Sequence, residues 1–341
     1  QQGQFDLVLS NLHKTDRIVA RSRALRERNV WFCLHGVFSA SYLGHRTGFD
    51  RWMKQQKIKR IYQGRNVVTV SDVKEFALRP AQLKPIYNPF DITALRAEAE
   101  ADSERPDGDY LIHVGRFHPG KRHDRLLEAY AQSGIDAPLV LLGQGKPEQE
   151  QRLRQLAKTL HIDDRVWFKG FQKNPLPWIK GARMLVLSSD SEGFGNVVVE
   201  ALLLHTPVAS TRCPGGVTEI LTGELARGLA DLTSPALAQT MQSIYHNPPA
   251  IDDAALEKFS DYENLKARLS GGQQEALEDI VQMTAYFCRR NVKGKDDGMI
   301  EGKANMQFVG SLNRVIARYG DLSPLFEALA VSIVGIPLGI L

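Results

Sequence analysis

Cysteine is scarce in this chain. Only Cys33, Cys213 and Cys288 occur, odd in number and far apart, with no CxxC pair and no His/Cys cluster. Neither a disulfide framework nor a structural zinc site is expected, and a reducing cytoplasm is the expected compartment. Long apolar runs are missing too. The longest lies within residues 325–341 and is broken by Glu327, Ser332 and Pro337, shorter than the roughly 20 apolar residues of a membrane helix. The start of the chain, at Gln1, carries no charged-then-apolar leader, so no secretory signal is expected. Charge of one sign is not in strong excess: 43 Lys and Arg stand against 39 Asp and Glu, a net +4. That balance suits an anionic small ligand or an anionic membrane surface and is too weak for nucleic acid. There is no internal repeat and no low-complexity segment.

What is present is a globular composition over 341 residues, enough for two domains with sizeable cores. Apolar runs at 5–10, 30–34, 66–70, 110–114, 138–142, 166–168, 184–187 and 207–210 read as strands. Between them lie helical stretches, among them 123–133, 148–160, 235–246 and 254–269. Strands alternating with helices predict an α/β fold of doubly wound parallel sheets. A turn at 87–90 and a shift to charged and small residues from 94 to 109 place a boundary between 87 and 109. The expected division is 1–90, 91–268 and a helical extension, 269–341. Residues 51–65 (RWMKQQKIKRIYQGR) read as a basic amphipathic helix with interleaved aromatics, fit to lie on anionic lipid or to form a solvated face.

Two loops carry the chemistry. Residues 115–121 (GRFHPGK) follow a strand and precede a helix; glycines let backbone approach a phosphate while Arg116 and Lys121 supply charge. The segment nearly spells the phosphate-loop pattern, but Arg122 stands where that pattern needs a magnesium-binding hydroxyl, which argues against a phosphate-loop NTPase. In residues 184–221 a strand runs into a polar, glycine-bearing turn and then a helix. Glu192 and Glu200 flank the turn with seven residues between them, and a second strand leads to Pro214-Gly215-Gly216. Carboxylates accept paired hydrogen bonds from vicinal diols, and the turn offers backbone N–H groups at a helix N-terminus. The run Leu269-Ser270-Gly271-Gly272-Gln273 spells an ABC-ATPase signature. It is set aside because neither a true phosphate loop nor an apolar strand ending in Asp-Glu accompanies it.

The run E-G-F-G-N-V-V-V-E, Glu192 to Glu200, resembles the E-x7-E motif of retaining glycosyltransferases of the GT-B fold, family 4 in particular. The resemblance covers about residues 5–268 and is strongest from 110 to 221. It implies two Rossmann-like domains, the first acceptor-side and incomplete here because fewer than ninety residues precede the hinge at Asn88-Pro89. It implies transfer of a hexosyl unit from a nucleotide sugar, a UDP-hexose, with retained configuration and no metal ion. The acceptor would be a glycan or lipid-linked sugar of bacterial surface polysaccharide or lipopolysaccharide. No cofactor beyond the co-substrate is implied.

By the same resemblance Glu192 meets the transferred sugar and Glu200 the ribose. Arg116 and Lys121 hold the diphosphate beside Gly115, Gly143 and Gly145, and Gly193, Phe194, Gly195, Asn196 and Val197 line the turn. The segment 167–171, ending in Phe171, reads the base, and His35 stands beside the transferred sugar from the first domain. A GT-B epimerase or phosphorylase, or a non-catalytic nucleotide-sugar-binding remnant, are the alternatives. The extension 269–341 matches nothing in the family.

Overall fold

The structure, a computed structural model, describes residues 8–259 except 12, 24, 26–29, 38–42, 45, 72–81, 86 and 89. The extension 269–341 and Cys288 lie outside the described residues. These divide into two compact units, within 1–89 and 90–260.

The first unit runs β1 (Val8–Asn11), α1 (His13–Val19), β2 (Val30–Leu34), α2 (Gly48–Tyr62), β3 (Asn66–Thr69) and β4 (Gln82–Pro85). The strands pair in parallel in chain order, β1-β2-β3-β4. Right-handed crossovers advancing in one direction put α1 and α2 on the same face of the sheet. Phe32, Leu34, Leu43, Ile58, Ile61, Tyr62 and Val67 form its core. A buried polar knot ties the elements together: Ser10 donates to Asp16 Oδ1 at 2.6 Å, the Tyr62 hydroxyl donates to Asp16 Oδ2 at 2.7 Å, and His13 Nδ1 lies 3.1 Å from that hydroxyl. Burial pushes the Asp16 carboxyl up to about 7 and the His13 imidazole down to about 4.

Helix α2 begins three residues before the basic stretch read from the sequence. Its apolar residues do not form one stripe. Ile58, Ile61 and Tyr62 are buried, whereas Trp52 (51% exposed) stacks on Phe49 (75% exposed), ring centroids 5.6 Å apart, in solvent.

The second unit holds α3 (Ile92–Glu98), β5 (Leu111–Val114), α4 (His123–Ser133), β6 (Leu139–Leu142), α5 (Pro147–Thr159), β7 (Val166–Gly170), α6 (Leu176–Gly181) and β8 (Met184–Leu187). It continues through α7 (Asn196–Leu203), β9 (Val208–Thr211), α8 (Val217–Ile220), β10 (Leu229–Ala230), α9 (Ser234–His246) and α10 (Asp253–Leu256). The six strands are parallel, in the order β10-β9-β8-β5-β6-β7. Both faces of the central strands are buried. Leu111, Leu139, Leu141, Met184 and Val186 pack with Leu126 and Leu127 of α4 and Leu237 and Met241 of α9. The alternate residues Ile112, Val140, Leu142, Leu185 and Leu187 are buried on the other side. The helix expected over 254–269 is represented among the described residues by α10 and a 3-10 turn, Glu257–Phe259.

This is a doubly wound order. The chain moves outward from β5 through β6 to β7, returns to place β8 on the opposite flank of β5, and continues outward through β9 to β10. Beyond the carboxyl ends of β5 and β8 the crossovers diverge and leave a crevice, the place where such sheets bind ligands.

Candidate functional site

The two loops singled out from the sequence follow β5 and β8, the strands flanking that crevice. They are stitched together: Asp190 N–H donates to Gly120 O at 2.9 Å and Ser188 Oγ donates to Lys121 O at 2.8 Å. Arg125, its side chain 6% exposed, reaches up from α4 to donate to Ser188 O (2.8 Å) and to Asp190 (2.7 Å). Across this seam Lys121 Nζ donates to both oxygens of Glu192, at 2.6 and 2.8 Å. The pair is largely enclosed, with the lysine side chain 29% and the glutamate 11% exposed. Ser189 Oγ adds a hydrogen bond to Glu192 Oε1 at 2.5 Å. A cation and a carboxylate from loops 71 residues apart thus meet above the switch point. Arg116 is exposed on the same loop as Lys121 and has no ion-pair partner among the described residues.

Glycines allow the loops to come this close. Gly143 follows β6 at φ +139°, and a Cβ there would sit 2.0 Å from Gly115 O. Gly145 packs on Phe117, whose N–H donates to Gln144 O at 2.9 Å. On the other side Glu192 N–H donates to Pro214 O (3.0 Å) and Gly216 N–H to Gly193 O (3.2 Å). Gly215, at φ +118°, leaves only 1.6 Å between a hypothetical Cβ and Glu192 O. The Pro-Gly-Gly turn is therefore a backbone bed for Glu192. Thr211 Oγ, donating to Ser189 O at 2.7 Å, anchors the same loop from β9.

Two buried histidines lie beneath. His113 Nδ1 is 2.8 Å from Val186 O, so the proton sits on Nδ1, because a carbonyl only accepts. Its ring meets that of His123 at 4.6 Å, and neither Nε2 has a hydrogen-bond partner among the described residues. Burial pushes His113 down to about 4, and His123, buried beside His113 and Lys121, is pushed down as well. Unfolded histidine titrates near 6.5, so between 6.5 and 4 the unfolded chain binds a proton that folded His113 refuses, and acid favours unfolding. Lowering the pH from 7 to 5 should remove about 2 kcal/mol of stability through His113 alone. Melting temperatures across that range check this. His113→Asn, which keeps a donor for Val186 O, should flatten the slope; an unchanged slope would refute the assignment.

The remaining sequence-chosen residues distribute as follows. Gly115, Gly143 and Gly145 lie in the loops after β5 and β6, and Gly115 N–H donates to Leu142 O at 2.9 Å. Gly193 and Gly195 flank Phe194 in the loop before α7; Gly195, at φ +101°, caps the helix, Asn196 is its first residue, and Val197 and Glu200 are half-buried on it. Phe194 is buried, edge-on to Phe259 at 5.8 Å, so it can offer a ligand backbone only. Phe171 is half-buried just after β7. His35 belongs to the first unit, half-buried after β2, where burial pushes it down to about 4 and leaves it neutral at pH 7. Sequence reasoning missed Ser189, Thr211 and Arg125. Their signal, the polar run Ser188-Ser189-Asp190-Ser191 and an arginine on an otherwise apolar helix face, acquires meaning only once β5 and β8 are known to be neighbours. Among the described residues no three His, Cys, Asp or Glu side chains converge on a common metal position, and no helix is long and apolar enough to cross a membrane.

Residues 96–264 match the family model described as Glycosyl transferases group 1. The chain is 32% identical over 148 residues to the Campylobacter jejuni N-acetylgalactosamine-N,N'-diacetylbacillosaminyl-diphospho-undecaprenol 4-alpha-N-acetylgalactosaminyltransferase, covering 43% of this chain and 40% of that protein. It is 36% identical over 121 residues to the lipopolysaccharide core biosynthesis glycosyltransferase LpsE of Rhizobium meliloti, covering 35% and 34%. The chain spans less than half the length of the curated relatives it matches. Among solved structures, Anabaena HepE in complex with UDP and glucose superposes with a TM-score of 0.58 at 21% identity, over 75% of this chain and 71% of that one. A glycosyltransferase from Rickettsia africae gives 0.58 at 17%, over 75% and 72%. These superpositions identify the fold as α/β of the GT-B type.

Proposed function

We propose, from the match of residues 96–264 to the model described as glycosyl transferases group 1, that this protein moves a hexosyl unit from a UDP-hexose to a glycan or lipid-linked acceptor, with retention of configuration and without a metal ion. One observation carries the reading: Lys121 and Glu192 meet above the switch point of the second unit, with Arg116 on the same loop.

In this reading Arg116 and Lys121 hold the donor diphosphate, beside the backbone of Gly115, Gly143 and Gly145 and the N-terminus of α7. Fixed cations and N–H groups aimed at a leaving group stabilise charge that develops as the glycosidic bond breaks. Glu200 accepts from the ribose hydroxyls, and Glu192 from the transferred sugar. Lys121 is already engaged by Glu192, so donor binding exchanges the carboxylate for phosphate and frees Glu192 to accept from the sugar. No protein group is assigned as base; the leaving diphosphate takes the acceptor's proton during attack on the same face. His35, neutral at pH 7, serves as a hydrogen-bonding group on the acceptor side rather than as a cation.

The diphospho-undecaprenol acceptor in the name of the Campylobacter relative, and the lipopolysaccharide core in that of the Rhizobium relative, support surface polysaccharide or lipopolysaccharide as the product class. The UDP held by the Anabaena structure supports a UDP-sugar. Work on such acceptors belongs at the cytoplasmic face of a membrane, and the exposed Phe49–Trp52 pair beside the cations of α2 suits contact with anionic lipid.

Calorimetric titration with UDP, GDP and ADP tests the donor half, with UDP expected to bind. A folded chain that binds none of the three would end the transferase reading. Acceptor-dependent release of UDP from a UDP-hexose tests the whole. Nucleotide binding without that release would point instead to a non-catalytic remnant or to epimerase or phosphorylase chemistry.

A further inference from the structure

The first unit contains a groove of about 640 Å³ between α1 and α2. Six cations line it: Arg17, Arg21, Arg46, Lys54, Lys57 and Arg60. The one carboxylate on the lining is Asp50, and it is already paired with Arg46 at 2.5 Å. Arg17, Arg21, Lys57 and Arg60 have no ion-pair partner among the described residues. Like charges gathered around a concavity repel one another through a medium of lower dielectric than bulk water, and the repulsion is relieved when an anion enters. Covering the groove with an apolar element would instead strip water from unpaired charges, at a cost no packing recovers.

The wall is preorganised. His13 lines the groove and is braced through the Tyr62 hydroxyl to buried Asp16, which also takes the Ser10 hydroxyl. After burial, the causes that push His13 down are the fields of Lys54 and Arg17, so cations from both helices converge on one point. The volume lies within the range of small-ligand sites, and the concavity suits a discrete group rather than a flat surface.

We propose that this groove, built wholly from the first unit, is a binding site for a phosphate- or diphosphate-bearing ligand. Arginine and lysine side chains from α1 and α2 take its oxygens through charge-assisted hydrogen bonds. Nothing in the proposal depends on the donor site of the second unit.

The test is calorimetric titration of the full 341-residue chain with inorganic pyrophosphate. Two sets of variants separate the two units. In Arg17→Gln/Lys57→Gln/Arg60→Gln, which keeps polar side chains on exposed positions, the affinity should fall by about tenfold or more. The single Lys57→Gln should lose about threefold by the same reasoning, which secures the result should the triple variant misfold. Pyrophosphate can also enter the donor site of the second unit; Arg116→Gln marks that separate binding event, and the event weakened by the glutamines should persist in it and be weakened by raising the salt. Vesicles of phosphatidylcholine with phosphatidic acid identify the source of the phosphate. Competition between vesicles and pyrophosphate means that a lipid headgroup enters the groove; pyrophosphate binding without vesicle binding means a soluble phosphate compound. Pyrophosphate affinity untouched by the glutamines, binding lost only in Arg116→Gln, or vesicle binding with no pyrophosphate site would each overturn the proposal.

Discussion

Lys121→Met should lower kcat/KM for the nucleotide-sugar donor by about 10²–10³-fold, the loss expected when one charge-stabilising group is removed from a transfer site. It should also weaken UDP, because the ammonium is assigned to the diphosphate. The folded state should survive: Ser189 still donates to Glu192 Oε1, and a carboxylate left half-satisfied costs about 1–3 kcal/mol. Glu192→Gln discriminates the assignment from a merely structural ion pair. Removing the carboxylate charge releases Lys121 from a competitor that holds it by two hydrogen bonds. UDP affinity should then be unchanged or higher while turnover collapses. If both variants weaken UDP to the same degree, the pair is scaffold and Lys121 does not meet the phosphate.

Gly215→Ala should be as damaging, by another route. At φ +118° an L-residue is strained, and the new Cβ would lie 1.6 Å from Glu192 O. No rotamer relieves an overlap with backbone, so either the Glu192 loop lifts off its bed or the Pro-Gly-Gly turn is rebuilt. A loss of about 3 kcal/mol or more is expected, at the upper end for single substitutions. The melting temperature reads it, and turnover should fall alongside because the Glu192 carboxylate is no longer held where the transferred sugar is to meet it. Gly223→Ala is the control: φ is also positive, at +57°, but nothing lies within 4 Å of the added Cβ. Equal losses in the two variants would mean that backbone strain alone matters and that the loop contact does not.

The second unit was legible in the sequence to within a residue or two at most strands. Each of β5, β6, β8 and β9 is a short apolar run closed by glycine, serine or a polar turn, and burial on both faces leaves no other reading. Helix α4 was read with its ends correct, because Gly134 at φ +66° stops it. Less visible were α3 and α6. The first lies where charged and small residues suggested a linker, and it is set by an Asp91 cap onto Ala94 N. The second starts between Pro175 and Pro177, and Pro at a helix's first turn breaks nothing. Strand β4 was not anticipated, since Gln82–Pro85 has neither alternation nor an apolar run. The basic stretch at 51–65 was read as one amphipathic face, whereas Phe49 and Trp52 stand in solvent and the isoleucines face the core.

The site divides in the same way. Loop positions could be read, because glycine and charge at the end of a strand point to the crevice. Pairings could not: Lys121 with Glu192, Thr211 with Ser189 and Gly215 with Glu192 are set by strand order, which one sequence does not disclose.

The seam between the β5 and β8 loops also has a kinetic meaning. Leu111 pairs with Met184 in the centre of the sheet, a contact that closes a long stretch of chain and so forms late relative to local ones. The strands β5, β6 and β7 can pair among themselves as the chain lengthens, yet at that stage Lys121 has no carboxylate opposite it. Glu192 gains its bed only when residues 214–216 have followed. The Lys121–Glu192 pair is therefore acquired in a single step, at the closing of the sheet, and its appearance during refolding would time that closure directly.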